Sequence, residues 1–474
     1  MPSLVPFTLK PQILVRLSLL TIGSFLILIV AREFTISDNG DFGRYGLHCY
    51  FEHPVGMAYW VDHESPEFLR RFFASPNIYW VAAQNSDCSQ SWPSSAHILW
   101  GAGYYFNKIF FSSSVLNLRY VALPFFLIQF LLLVAAVRYP SVSGMEIVGA
   151  IALLPLFSDA VILSYYTSFY AESIAILTIF ALTAFVICAR GWLPSAELPA
   201  ETLFICFFVA ASFLIGLSKP QYVYVLPVAA IVIGCSSALQ RHWLIRIMAV
   251  FGILALLAGT FLQHFRQDQV HQKVNAYISL YTGILMFSED RQVLLNKLGL
   301  PQESASLIGQ NAFTPEALQF IDGHPSLSQA LFLRAVLVDP TAFARLIVHN
   351  TGELGQAKLT FGTVPGSAYG SPPWYLSLFS NIRVVALLLI AGLSIPCAIL
   401  LRKHLGRRAI ATLGFLVAIV PIDILVSSFA GVMEAKRHLV LSSVSGAVLT
   451  GFVIVSVTSV LEAFRQSLKL HVPT

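Results

Sequence analysis

The sequence predicts an all-α polytopic membrane protein with about ten transmembrane helices and two long extracytoplasmic loops. Three observations carry that prediction. Hydrophobic residues make up 56% of the 474, charged residues 11%, and the mean hydropathy is +0.73; a soluble domain carries about 25% charged residues. The apolar residues gather in runs near the roughly 20 residues that a helix needs to cross the hydrocarbon core. The basic residues fall on alternate connections between those runs. The net charge of +5 comes with no basic stripe, so no nucleic-acid partner is expected.

The runs lie roughly at 13–31, 116–137, 146–163, 169–189, 202–217, 221–239, 244–264, 383–401, 409–430 and 440–461. The first is too long for a signal-peptide core and no A-x-A-like site follows it, so it is read as a retained helix. Only SKPQY divides the fifth from the sixth. With both termini in the cytoplasm, the inner connections hold twelve basic residues: Lys10, Arg16, Arg138, Arg190, Arg241, Arg246, Arg402, Lys403, Arg407, Arg408, Arg465 and Lys469. Against them stand four acids, Glu146, Glu197, Glu201 and Glu462. That bias sets the orientation by the positive-inside rule.

Two long connections then fall outside, 32–115 and 265–382. They divide the chain into an N-terminal transmembrane module (1–264, with the first loop), an extracytoplasmic helical loop (265–382) and a C-terminal transmembrane module (383–474). In the first loop, FEHPVGMAYW and HILWGAGYYFNKIFF read as helices lying at the membrane interface. Cys49 and Cys88 both fall in that loop, where oxidation is possible, and a disulfide between them is expected. In the second loop, QVLLNKLGL is a short helix ending at Gly299. DPTAFARLIVHN starts a helix with Asp339 as cap and Pro340 at its first position.

Ionisable groups at membrane helices are costly and are functional candidates by default. They converge on the outer face from separate parts of the chain. ISDNGDFGR places Asp38, Asp41 and Arg44 after the first span. A carboxylate there can act as general base towards a sugar hydroxyl or help hold a divalent cation; the plain alternative is a solvated Asn-Gly turn. SYYTSFYAES puts Glu172 just inside the fourth span, where it needs a partner. Lys219 in SKPQY can bind a lipid phosphate as a point charge, or snorkel. Lys436, Arg437 and His438 precede the last span on the outside, against the charge trend. An anionic ligand such as a phosphate or pyrophosphate explains them. Asp159 is a weaker candidate for the same pocket. Asp423, beside Pro421, is read as a buried polar group packing against another helix and stays off the site list.

A long outer loop between the first two spans, opening on an acidic motif, resembles the GT-C superfamily of polytopic glycosyltransferases. Several stretches are similar to a bacterial family of glycan-biosynthesis hexose transferases. They are NGDFGR, YYTSFYAE, SKPQ, VNAYISLYTGIL, LGLP, IGQNAF and KRHL, in order over most of the chain. The resemblance implies an inverting hexosyl transfer from a polyprenyl-phosphate sugar to a glycan or lipid-linked acceptor, at the outer face of a bacterial inner membrane. Asp41 maps to the base and Asp38 is the second choice. The acids are separated as D-N-G-D rather than adjacent, which leaves open which Asp acts. No cofactor is expected, with a divalent cation as the alternative. Arg44, Lys219, Lys436, Arg437 and His438 are then ligands of the donor phosphate, and Glu172 orients Lys219 or a sugar hydroxyl. The rival readings are a transporter or flippase for a lipid-linked sugar, and a ligase acting on polyprenyl-diphosphate glycans.

Overall fold

A computed structural model describes residues 45–46, 49–54, 79–83, 88, 91, 93–138, 165–166, 169–192, 197–238, 242–265, 269–312, 314–353, 384–401, 407–429 and 439–469. The first and third predicted spans lie outside these residues. The second span and the fourth to the tenth coincide with helices. These are α2 (Leu118–Arg138), α3 (Glu172–Trp192), α4 (Glu197–Gly216), α5 (Val225–Ala238), α6 (Trp243–Phe265), α12 (Val384–Leu401), α13 (Arg407–Ser428) and α14 (Val440–Lys469). Among the described residues four stretches are long and apolar enough to cross a membrane: Pro199–Gly216, Pro220–Ser237, Trp243–Gln263 and Arg407–Ser428. Leu118–Leu132, Glu172–Phe185, Val385–Leu401 and Val440–Ile454 are apolar over shorter lengths.

The first loop departs from the helical expectation. FEHP forms a strand, β1 (Phe51–Pro54), not an interfacial helix. It pairs antiparallel with β2 (Tyr79–Ala82), which pairs antiparallel with β3 (Val115–Asn117). The register sets Trp80 opposite Leu116 and Phe51 opposite Ala82. The reason is long-range: a short aromatic run carries no helix cap, and its backbone groups are satisfied by strands far along the chain. HILWGAGYYFNKIF does form the expected helix, α1 (His97–Phe110). Asn107 of α1 fixes the sheet: its Nδ2 donates to the carbonyls of Ser112 (2.9 Å) and Val115 (2.8 Å), and its Oδ1 accepts from Asn117 N–H (2.9 Å). Cys49 and Cys88 are joined by the expected disulfide. At Gly103, α1 crosses α2 so closely that a Cβ would lie 2.5 Å from Val121 Cα.

The second loop builds its own apolar core from α7 (Gln269–Ser279), α8 (Arg291–Leu298), α9 (Pro315–Gly323), α10 (Gln329–Val338) and α11 (Pro340–Glu353). After α7 the chain passes through a π-turn, Leu280–Ile284, which the periodicity does not announce. Gly299 ends α8 in the left-handed conformation (φ 74°), as its sequence position predicts. Asp339 caps α11: its Oδ1 accepts from Ala342 N–H (2.9 Å) and Thr341 Oγ1 (2.7 Å). This body grips the end of α13. Phe429 packs on Phe332 (ring centroids 5.2 Å apart) and Phe343 (5.5 Å), and its carbonyl accepts from Ser279 Oγ. Each such aromatic pair adds about 0.5–1.5 kcal/mol beyond its area burial.

Candidate functional site

The bundle has two chemically different ends. At one, Glu201 near the start of α4 accepts from Arg408 Nε near the start of α13 (2.9 Å), so these helices run parallel. Both residues belong to the connections that the charge count assigns to the cytoplasm. A small cleft lined by Glu201, Phe204, Phe208, Ser236, Ser237 and Ala411 lies at that end. At 1.5 Å per helical residue Glu201 lies about 22 Å along α4 from its last residue, Gly216, three residues before Lys219.

The opposite end gathers the polar residues. Lys219 starts the turn between α4 and α5, with extended backbone (φ −146°, ψ 141°) ahead of the 3-10 turn Pro220–Tyr222. Pro220 disfavours helical backbone at Lys219, which breaks the apolar stretch there. Lys219 Nζ donates to Glu172 Oε1 at 2.6 Å, and the two side chains are 4% and 1% exposed. Lys219 therefore does not snorkel. Glu172 opens α3, where a carboxylate also complements the helix dipole. Its second oxygen, Oε2, is buried and finds no hydrogen-bond partner among the described residues; the same is true of the Tyr222 hydroxyl. Tyr222 lies within electrostatic range of Glu172, Tyr224 and Asp423.

Asp423 belongs to this cluster. Its Oδ1 accepts from Tyr224 Oη (2.7 Å), and its Oδ2 from Ser442 N–H (2.8 Å) and Ser442 Oγ (2.7 Å). It is buried and packs against other helices, as its sequence position suggests, and it ties α5, α13 and α14 together at this end. No sequence signal marked it for a site role. Its partners lie 199 and 19 residues away, so no local motif marks it. Ser442 follows the KRHL motif by three residues, and Leu439, the motif's last residue, is buried.

The first loop closes on the same end. Ser95 donates through its Oγ to Leu214 O (2.6 Å) and through its N–H to Leu217 O (3.1 Å). Ser94 Oγ donates to Ser218 O (2.7 Å), beside Lys219. Phe169, three residues before Glu172, stacks on Tyr50 (5.2 Å) and meets Trp100 edge-on (5.5 Å). Tyr45, the residue after NGDFGR, is buried against Trp100 (5.7 Å). Burial, then the neighbouring Tyr105, drives the Tyr50 phenol well above its ordinary range, so it stays protonated. Its oxygen pairs with His97 Nδ1 at 3.0 Å. Of the predicted site residues, Glu172 and Lys219 are brought into contact. Asp38, Asp41, Arg44, Lys436, Arg437 and His438 lie outside the described residues, as does Asp159. Among the described residues no three metal-ligating side chains converge.

The family of the YfdI N-terminal transmembrane domain matches residues 6–343. The chain belongs to that family. The match runs from the first apolar run through the first loop, α1–α6 and the second loop into α11, and so takes in both Glu172 and Lys219. No curated protein and no solved structure matches this YfdI-family chain.

Proposed function

We propose that this YfdI-family chain is a membrane glycosyltransferase of GT-C type. It moves a hexose from a polyprenyl-phosphate donor to a glycan or lipid-linked acceptor on the outer side of the bacterial inner membrane. The observation that carries the reading is the Glu172–Lys219 pair, buried where the first loop, the α4–α5 turn and the Asp423 clamp meet. A buried cation paired with a carboxylate is a preorganised partner for a phosphate, and it stabilises charge that develops as a phosphate leaves. Tyr45, which follows the acidic motif, and Leu439, the last residue of the basic one, are both buried.

In the reaction the acceptor oxygen attacks the anomeric carbon. The bond from that carbon to the phosphate oxygen breaks, and polyprenyl phosphate departs with the bonding pair. Asp41 takes the acceptor proton, with Asp38 as the alternative base. Lys219, Arg44, Lys436, Arg437 and His438 receive the negative phosphate. Glu172 positions Lys219. A flippase could use the same cations without a base; the separation of the charged cluster from the far end of the bundle favours the enzyme, because a transported solute needs its site near midplane.

Asp41→Asn separates these readings. It should abolish transfer of sugar from a polyprenyl-monophosphate donor while leaving membrane insertion intact. Full activity in that variant would overturn the assignment of the base. Sugar released from a polyprenyl diphosphate instead of the monophosphate would make the chain a ligase.

A further inference from the structure

The second loop carries an apolar face that the proposed chemistry does not use. α10 has the sequence QALFLRAVLV, with no acid and one cation, Arg334. Its Phe332 and Ala335 are buried in the loop's core, at 1% and 0% exposure. On the other side Leu333 is 55% exposed and Leu337, one turn on, 83%. Exposed leucines at i and i+4 form a stripe along one side of a helix.

The position of α10 says what covers that stripe. Phe332, adjacent to Leu333, packs on Phe429, which directly follows the last residue of α13. Arg407–Ser428 is one of the stretches able to cross a membrane, so α10 sits where that span meets its boundary. The end concerned is the one that holds Lys219. There α1 presents a matching stripe: Ile98, Tyr105 and Ile109 are 66%, 63% and 73% exposed, with Trp100, Gly103 and Asn107 buried opposite. Each helix carries a cation near its apolar face, Lys108 or Arg334, whose long stem can reach lipid phosphates. An apolar stripe of this kind, beside a span and flanked by a cation, fits the boundary between headgroups and acyl chains.

We propose that α10 lies in the plane of the bilayer, with Leu333 and Leu337 immersed in the leaflet at the Glu172–Lys219 end. The occupant of the face is phospholipid. The second loop is then held down on the membrane at two points, by Phe429 and by α10. This inference does not depend on the chemistry assigned to the site.

The test uses the full chain in proteoliposomes, with every cysteine except Cys49 and Cys88 replaced by alanine. Leu337→Cys and, separately, Leu333→Cys carry the fluorophore NBD. Glu316→Cys, on α9 of the same body, serves as the aqueous control. The expected result is blue-shifted emission at 337 and 333, quenched about twofold by phospholipid with a doxyl group near the headgroup, and no such quenching at 316. Water-like emission at 337 and 333, quenched by iodide and not by doxyl lipid, would overturn the proposal. So would shielding that disappears as the lipid-to-protein ratio rises, because that dependence would assign the face to a second copy of the chain.

Discussion

Removing one member of the Glu172–Lys219 pair should destabilise the fold far more than removing both. At 2.6 Å, and with an effective dielectric constant of about 20, the attraction is about 6 kcal/mol before desolvation is subtracted. Both side chains are almost wholly buried, so the desolvation cost is large and offsets much of that gain. Glu172→Gln leaves a buried ammonium without this carboxylate, and Lys219→Met leaves a buried carboxylate without its cation. Each should cost about 3–5 kcal/mol. The double variant strands neither charge and should fall within about 1–2 kcal/mol of wild type. Unfolding of the purified chain in mixed detergent–SDS micelles, followed by circular dichroism, measures all three. A double variant as unstable as the sum of the singles would refute the pairing. Transfer activity gives an independent readout, since the double variant should fold yet remain inactive, having lost the cation proposed to meet the donor phosphate.

Three further outcomes follow from particular residues. Gly103→Ala puts a methyl group 2.5 Å from Val121 Cα, so overpacking should cost about 1–3 kcal/mol; a thermal midpoint at or above wild type, as helix propensity alone would give, contradicts the close crossing of α1 and α2. Asp339→Ala removes the cap of α11 and should cost about 0.5–2 kcal/mol, seen as faster hydrogen exchange over 340–353. Burial raises the Asp339 carboxyl, but hydrogen bonds from Ala342, Thr341 and Ser288 and the charge of Arg345 outweigh it and hold it below its ordinary range. Its contribution is therefore complete above the ordinary carboxylate pKa and is lost as pH falls through the depressed one, and Asp339→Asn should flatten that acid slope. Replacing Cys49 and Cys88 by serine opens a link spanning 39 residues and should cost about 2–4 kcal/mol, after which a reductant lowers the midpoint no further.

Local signals made much of this legible. Asp339 before Pro340, Gly299 after a leucine-rich turn and Pro220 after Lys219 each act within a few residues, so the sequence marks their elements directly. Apolar length marked the spans for the same reason. Contacts between distant segments were not legible. FEHP looks like part of an aromatic helix until β2, about 25 residues on, supplies its partners. Glu172 and Lys219 are separated by 47 residues; the sequence marks Glu172 as needing a partner, and the resemblance offers Lys219 or a sugar hydroxyl without deciding between them. Asp423 is a lone acid in an apolar run, and only the packed bundle brings Tyr224 and Ser442 to it. The π-turn after α7 has no compositional mark at all.

The most direct measurement of the central claim is sugar transfer by the purified chain from a radiolabelled polyprenyl-monophosphate hexose to an acceptor extract. The predicted result is labelled acceptor together with released polyprenyl phosphate, both lost in Asp41→Asn and strongly reduced in Lys219→Gln. Transport of the intact lipid-linked sugar across proteoliposomes with no transfer at all would contradict it.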